Sequence, residues 1–271
     1  MLLSPFAATR LLVSRRRFIM PYIEIALTEY CSLRCRDCAN LMQYYTSPRH
    51  YPSDSILHDI EILEVVVGEI TMCRLLGGEP FLYPHLAEIV RALIAKPLIK
   101  HIQIVTNGTI PLRRDMYDIL RNQKVSVQIS NYGEKSHHIN ELITVLSREQ
   151  ISTINRFFDK WEDYGDLTDK KLSEIEVEHS YNNCLTAQCK TLLKGRLYSC
   201  PRSAHMDNLG LLSGEADSLA IDGTLSRQML MDFYNIKFVT ACRYCVPADN
   251  RREIPSAVQA EKPVNQEHLA P

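Results

Sequence analysis

The most constraining feature of this sequence is a repeated alternation of strand patterns with amphipathic helix patterns. Predicted helices at residues 54–66, 84–93, 113–123 and 139–146 separate predicted strands at 22–27, 70–76, 101–106, 125–130 and 151–157. Parallel strands need a crossover, usually helical, to return the chain to the same edge, so this alternation predicts a parallel sheet. A sixth strand is expected before Tyr181. The predicted fold class is therefore α/β.

Three cysteines follow the first predicted strand in a C-x3-C-x2-C pattern, namely Cys31, Cys35 and Cys38. Closely spaced thiolates are typical ligands of iron–sulfur clusters, and three of them leave one iron of a [4Fe–4S] cube without a protein ligand. An iron with an open position can bind a small molecule. The alternative is a zinc knuckle, but structural zinc has four ligands in paired units, and neither His50 nor His58 lies at ligand spacing.

Polar turns follow the next three predicted strands. The second strand ends in Gly77-Gly78-Glu79-Pro80, where two glycines allow a close backbone approach and the acid and proline fix the turn. The third and fourth strands end in Thr106, Asn107, Ser130 and Asn131. Ligands of parallel α/β sheets bind at the carboxyl ends of strands, so these loops are predicted to share one site. The alternative for the last four residues is ordinary turn chemistry.

The cysteine loop and the Gly-Gly-Glu-Pro turn together resemble the radical S-adenosylmethionine (SAM) superfamily. The resemblance implies a partial (β/α)6 barrel, a catalytic [4Fe–4S] cluster on Cys31, Cys35 and Cys38, and SAM bound to the open iron. SAM would lie along Gly77, Gly78, Glu79, Pro80, Thr106, Asn107, Ser130 and Asn131. One departure is Asp37, at a position that is usually aromatic in the family. The implied chemistry is reductive cleavage of SAM to a 5′-deoxyadenosyl radical, with flavodoxin or ferredoxin as the electron donor.

Five further cysteines follow the predicted sheet: Cys184, Cys189, Cys200, Cys242 and Cys245. A hairpin is predicted over Thr191–Ser199, which would place Cys189 opposite Cys200, whereas the spacing around Gly195 favours Cys184. The set resembles the small auxiliary-cluster module of many radical SAM proteins, of the SPASM type in its shortened Twitch form. It implies a second [4Fe–4S] cluster on Cys189, Cys200, Cys242 and Cys245, with Cys184 as the alternative to Cys189. A zinc ribbon has similar spacing and stays open.

The resemblance also bears on the reaction. An auxiliary cluster can accept an electron from a substrate radical, giving dehydrogenation, or a spare thiol such as Cys184 can return a hydrogen atom, giving epimerisation. The shortened module resembles that of enzymes acting on aminocyclitols and aminoglycosides, so a sugar-like substrate is expected. Candidate contacts around Trp161 are Asp159, Glu162, Asp163 and Tyr164, unless they form only a solvated acidic loop. The competing interpretations are a peptide-modifying maturase and a non-catalytic iron–sulfur or zinc protein.

Composition limits the remaining possibilities. The net charge of −1 argues against a nucleic-acid or membrane surface, and nine cysteines in tight clusters favour metal binding in a reducing cytoplasm over disulfides. Cys73, inside the second strand, is predicted to be a buried apolar residue. The predicted domains are an N-terminal extension at 1–20, a barrel at 21–165, an auxiliary-cluster domain at 166–250 and a tail with a short helix at 251–271. The basic residues of the extension also weakly resemble a transit peptide.

Overall fold

The computed structural model describes residues 13–14 and 17–260. In chain order the strands are β1 (Val13–Ser14), β2 (Arg17–Ala26), β3 (Val67–Leu76), β4 (Ile99–Thr106), β5 (Val125–Asn131), β6 (Thr153–Phe157), β7 (Lys160–Glu162), β8 (Thr191–Leu193), β9 (Arg196–Tyr198), β10 (Ser218–Ala220) and β11 (Glu253–Pro255). The helices are α1 (Ser53–Val66), α2 (Leu86–Ile94), α3 (Tyr117–Leu120), α4 (Ile139–Arg148), α5 (Glu174–Asn182), α6 (Pro201–Asn208) and α7 (Arg227–Tyr234).

Nine of the described strands form one sheet in the order β10-β9-β8-β2-β3-β4-β5-β6, with β1 beside β2. Strands β2 to β6 are mutually parallel, and β8 is parallel to β2 on its other side. The α/β class with a mostly parallel sheet is therefore confirmed. Edge strands β10 and β6 are not hydrogen-bonded to each other in the described chain, so this sheet is open.

The two faces of the sheet differ in polarity, and this difference positions the site. On one face Ile23 and Ile25 of β2 pack in the main core with Leu63 of α1 and Val90 of α2, as the helix periodicity predicts. The other face carries a polar row set by the strand register, namely Glu24, Arg74, Gln103 and Ser126. All but Arg74 are buried, although they are polar. This face leads towards the carboxyl ends of the strands.

The sixth parallel strand is not where the sequence pattern placed it. Residues before Tyr181 form α5, because Ser173 and Glu176 make a reciprocal capping box at its N-terminus. The parallel neighbour of β2 is instead β8, the first arm of the predicted hairpin with β9. The hairpin is confirmed, and it extends the same sheet, so the predicted border at residue 165 does not separate two sheets.

Two other predicted boundaries are wrong. The helix expected at 113–123 is instead a 3-10 turn at Arg114–Met116 that continues into the short α3. It ends early because Asn122 accepts a hydrogen bond from the Lys124 amide and turns the chain into β5. The N-terminal extension does not reach residue 20, since Phe18 and Met20 are buried in β2. The transit-peptide interpretation concerns residues that lie mostly outside the described ranges. Among the described helices, none has the length and apolar character needed to cross a membrane.

Candidate functional site

A cavity of about 540 Å³ lies at the carboxyl ends of the parallel strands. It brings together most of the residues predicted from the strand ends: Cys31, Cys35, Cys38, Gly77, Gly78, Thr106, Asn107 and Ser130. Three predicted residues, Glu79, Pro80 and Asn131, do not line this cavity. The Asn131 side chain accepts a hydrogen bond from the Gly133 amide at 2.9 Å, which is the turn chemistry considered as its alternative role.

The two glycines hold the cysteine loop against the end of β3. A Cβ on Gly77 would lie 2.4 Å from the Thr28 carbonyl oxygen, and one on Gly78 would lie 2.1 Å from that of Tyr30. The backbone amides of Gly78 and Glu79 donate to these two carbonyls at 2.8 Å. The backbone that leads into Cys31 therefore leaves no room for a side chain at either position. The sequence suggested that these glycines admit a ligand, but their closest neighbour is this backbone.

Glu79 is placed differently from the prediction. Its side chain is fully buried and accepts hydrogen bonds from the backbone amides of Phe81 at 3.0 Å and Asn107 at 2.8 Å. Burial raises the pKa of its carboxyl group to about 7, although these two hydrogen bonds act to lower it. Pro80 is also buried and begins a 3-10 turn at Pro80–Leu82. The carboxylate thus ties the turn after β3 to the turn after β4 and does not face the cavity.

Amide donors from distant segments contact the thiols of the cysteine loop. Asn107 Nδ2 lies 3.7 Å from Cys31 Sγ, and Gln259 Nε2 lies 3.4 Å from Cys35 Sγ. Burial raises the pKa of the Cys35 thiol to about 12 and also raises that of Cys31 and Cys38. Buried thiolates therefore need a cation, which a metal cluster supplies, and N–H donors to sulfur are a common support for such ligands.

The three thiols of the cysteine loop are available as ligands of a polynuclear cluster. In the described chain no group of three or more Cys, His, Asp or Glu side chains is arranged to hold one metal ion. A [4Fe–4S] cluster places each thiolate on a different iron, so its ligands need not converge on one point. Three cavity-lining cysteines with backbone and amide support match that requirement.

The chain after residue 250 returns to the cysteine loop. Strand β11 pairs with β7, the Arg36 amide donates to the Val258 carbonyl, and the Ala260 amide donates to the Arg34 carbonyl. The prediction of a short helix and tail from residue 251 is therefore wrong up to residue 260. Burial of Ile254 and these backbone hydrogen bonds hold the segment in place. Residues 261–271 lie outside the described ranges.

The wall opposite the cysteines is aromatic and acidic. Trp161, Glu162 and Tyr164 line the cavity, as considered from the sequence, together with Tyr132 and Phe158. Asp159 and Asp163 do not line it. The Asp163 carboxylate instead accepts from the Gly165 amide and pairs with Arg252 at 3.0 Å.

The second cysteine set surrounds a separate small pocket lined by Cys184, Cys200, Cys242 and Cys245. This grouping favours Cys184, contrary to the preference for Cys189 from hairpin geometry. Cys189 does not line this pocket; its thiol interacts electrostatically most strongly with the Glu24–Arg74 ion pair and less strongly with Cys200 and Cys184. Cys73 is fully buried in β3 within the main core, as predicted.

Two buried arginines at the second set were not identified from the sequence. The Arg251 guanidinium lies 3.4 and 3.5 Å from Cys184 Sγ and pairs with Glu162 at 3.2 Å. Arg202 donates to the carbonyls of Gly165 and Asp166, and its charge partly offsets the burial that raises the thiol pKa of both Cys38 and Cys200. No local pattern identifies them, because these partners lie 36 to 89 residues away in sequence.

Comparisons with known proteins agree with this geometry. Residues 25–156 match the model of the Radical SAM superfamily. A GTP 3′,8-cyclase of Chlorobaculum tepidum is 27% identical over 165 residues, which cover 60% of this chain and 44% of the relative. A GTP 3′,8-cyclase of Stenotrophomonas maltophilia is 36% identical over 95 residues, covering 35% and 28%. This chain thus spans less than half the length of these relatives.

Two solved structures share the fold over most of this chain. BtrN in complex with AdoMet and 2-DOIA has a TM-score of 0.54 at 15% identity, covering 90% of this chain and 97% of BtrN. Native anSMEcpe with bound AdoMet has a TM-score of 0.52 at 13% identity, covering 82% and 84%. At such identity the likeness concerns the fold alone. The family match, which includes the three-cysteine loop, assigns residues 25–156 to the Radical SAM superfamily.

Proposed function

We propose that this protein is a radical SAM enzyme that removes a hydrogen atom from a sugar, aminocyclitol or glycoside. One observation carries the proposal: three thiols, the glycine turn and the polar strand ends face one cavity, with an aromatic and acidic wall opposite. Its volume of about 540 Å³ is that of a small-molecule site.

The cavity residues divide into two roles. Cys31, Cys35 and Cys38 would hold a [4Fe–4S] cluster, which when reduced supplies the electron that cleaves SAM into methionine and a 5′-deoxyadenosyl radical. The chain itself orients and encloses the reactants. Backbone at Gly77 and Gly78 and the side chains of Thr106, Asn107 and Ser130 offer hydrogen bonds to bound SAM, and Asn107 also supports Cys31.

The charges of the cavity favour a neutral or amine-bearing substrate. Among the described residues its charged lining comprises one ammonium group, that of Lys160, and the carboxylates of Asp37, Glu162 and Glu253. A triphosphate would meet mostly like charge, whereas hydroxyl and ammonium groups find acceptors. The aromatic side chains of Trp161 and Tyr132, 5.4 Å apart edge to face, offer apolar surface for the ring of a sugar.

The second cysteine set supports a dehydrogenation. With Cys184 included, four thiols are available, and a [4Fe–4S] cluster bound by four cysteines has no open iron. Such a cluster is suited to accepting an electron from the substrate. Cys184 as the hydrogen-atom donor of an epimerase is then less favoured, because it would be occupied as a ligand. Zinc bound by the same four thiols is the alternative that metal analysis separates.

A nucleotide substrate is the second candidate, because the matched relatives are GTP 3′,8-cyclases. The acidic lining of the cavity counts against it. A peptide-modifying maturase is the third, and a non-catalytic iron–sulfur or zinc protein is the fourth. We also propose flavodoxin or ferredoxin as the electron donor, because reductive cleavage of SAM needs one. A reducing cytoplasmic setting is proposed because nine cysteines in clusters favour metal binding over disulfides.

The test begins with iron and acid-labile sulfide in anaerobically reconstituted protein and in a Cys31/Cys35/Cys38→Ala variant. We expect about eight irons per chain, falling to about four in the variant, with reductive formation of 5′-deoxyadenosine lost. Deuterated aminocyclitol, GTP and peptide candidates are then compared for deuterium transfer into 5′-deoxyadenosine. Transfer from GTP or a peptide, and not from the sugar-like compound, contradicts the substrate proposed. Failure of the wild type to cleave SAM contradicts the enzyme assignment.

A further inference from the structure

Arg251 lies between the cavity and the second cysteine set. Its Nη1 and Nη2 are 3.4 and 3.5 Å from Cys184 Sγ, and Nη1 is also 3.2 Å from Glu162 Oε2. The guanidinium stacks 4.2 Å from the centre of the Tyr164 ring, and Nε donates to the Val246 carbonyl at 3.1 Å. Glu162 and Tyr164 line the cavity, whereas Cys184 lines the pocket of the second set. One side chain therefore contacts both sites.

Both terminal nitrogens of the Arg251 guanidinium are within hydrogen-bond distance of the Cys184 sulfur. A neutral thiol is a weak hydrogen-bond acceptor, whereas a thiolate accepts charge-assisted bonds from two N–H groups of one guanidinium. The Arg251 side chain is only 3% exposed, so its charge is largely removed from water. Its carboxylate partner Glu162 is 39% exposed and also lines the cavity, and the Cys184 sulfur is the second group, which this guanidinium contacts with both terminal nitrogens.

We infer that Arg251 is a positioning residue for the second cysteine set, orienting Cys184 as a thiolate ligand and raising the reduction potential of an iron–sulfur cluster held there. This rests on the proposed function, in which that set holds a cluster. Reduction adds negative charge to a cluster, so a buried cation and N–H donors at a ligand sulfur stabilise the reduced state. Glu162 offsets part of that charge because it pairs with the same guanidinium.

The geometry predicts that substitutions of Arg251 and Glu162 shift the midpoint potential of the second cluster in opposite directions. Arg251→Gln removes the cation and is expected to shift the midpoint potential of the second cluster to a more negative value. Arg251→Lys keeps the charge but loses the two-pronged contact, so a smaller negative shift is expected. Glu162→Gln leaves the cation uncompensated, and a shift to a more positive value is expected. Arg252→Gln is the matched control, because Arg252 is 81% exposed and pairs with Asp163.

The experiment is a potentiometric titration followed by electron paramagnetic resonance. It uses the full chain, reconstituted anaerobically, with Cys31/Cys35/Cys38→Ala as the background so that only the second cluster contributes to the spectrum. Equal midpoints for Arg251→Gln and Arg252→Gln would overturn the inference. If Arg251→Gln retains no iron, Arg251→Lys decides: a midpoint equal to that of the background protein overturns the inference, and a more negative one supports it.

Iron content separates this inference from the function on which it rests. A background protein that binds zinc or nothing contradicts the auxiliary cluster itself, and the inference fails with it. If the background protein binds about four irons and its midpoint potential does not change in the Arg251 variants, the cluster is present and only the role of Arg251 is contradicted.

Discussion

At Glu79, burial and two backbone amides act on the carboxyl pKa in opposite directions, and burial prevails. The pKa rises from 4.5 to about 7, so the folded protein holds this proton over a pH range in which the unfolded chain has lost it. The stabilisation is therefore complete below about pH 4.5 and is lost as the pH rises to about 7. The sequence pattern indicated an acid in a turn, but its burial depends on packing against the turn after β4.

We expect Glu79→Gln to remove this pH dependence. The unfolding free energy of the wild type, relative to that of the variant, should fall as the pH rises from about 5 to about 7, and should then stay constant. The variant should also lose about 1–3 kcal/mol, because a glutamine has one acceptor oxygen for two backbone N–H groups. Urea denaturation at a series of pH values measures both effects. A difference independent of pH would contradict the assignment.

The importance of Gly78 was predictable from the sequence, but its closest contact was not. A Cβ would lie 2.1 Å from the Tyr30 carbonyl oxygen and 2.9 Å from Cys31 Cβ. We expect Gly78→Ala to displace the cysteine loop, costing about 1–3 kcal/mol and reducing iron loading. Gly223→Ala is the control, because nothing lies within 4 Å of the added atom. Equal stability and iron content in the two variants would show that the close approach of the two backbones does not require glycine at position 78.

At the scale of elements, one short turn decides which thiol joins the second set. A 3-10 turn at Leu185–Gln188 has Cys184 at its start and Cys189 at its end, so the two thiols face different surroundings. Hairpin register alone suggested Cys189, because Thr191 pairs with Tyr198 and the chain extends past both. The intervening turn, which the sequence pattern did not predict, brings Cys184 to Cys200.

We expect Cys184→Ala to lose the iron of the second set, falling from about eight to about four irons per chain, while Cys189→Ala keeps about eight. The reason is that Cys184 lines the pocket with Cys200, Cys242 and Cys245, and Cys189 does not. Iron and sulfide analysis of the two variants, matched in size change, measures this. Iron loss in Cys189→Ala alone would restore the assignment made from the hairpin.

At the scale of the whole molecule, the chain after residue 250 completes the environment of the first cysteine loop. Gln259 accepts from the Arg34 amide at 2.7 Å and donates to Cys35 Sγ at 3.4 Å, joining segments more than 220 residues apart. The short helix and tail predicted for this segment did not include these contacts, because they depend on β11 pairing with β7.

We expect Gln259→Glu to keep the bond to Arg34 but to place a carboxylate beside the Cys35 sulfur. Repulsion between two anions should lower the midpoint potential or the occupancy of the first cluster. The measurement is the potential and iron content in a Cys200/Cys242/Cys245→Ala background, with Gln150→Glu as an exposed control. Equal behaviour of the two variants would contradict a role for the returning segment.

The sequence by itself determined the repeating strand–helix units and the functional loops at the carboxyl ends of the strands. Alternating apolar residues, helix periodicity and closely spaced cysteines act over a few residues, so β2 to β6, the hairpin and the C-x3-C-x2-C loop were predictable. Tertiary structure decided the partners: β8 beside β2, Cys184 with Cys200, Arg251 at Cys184 and Gln259 at Cys35. These contacts join segments separated by many residues. They depend on how the chain packs and returns, which no local pattern encodes.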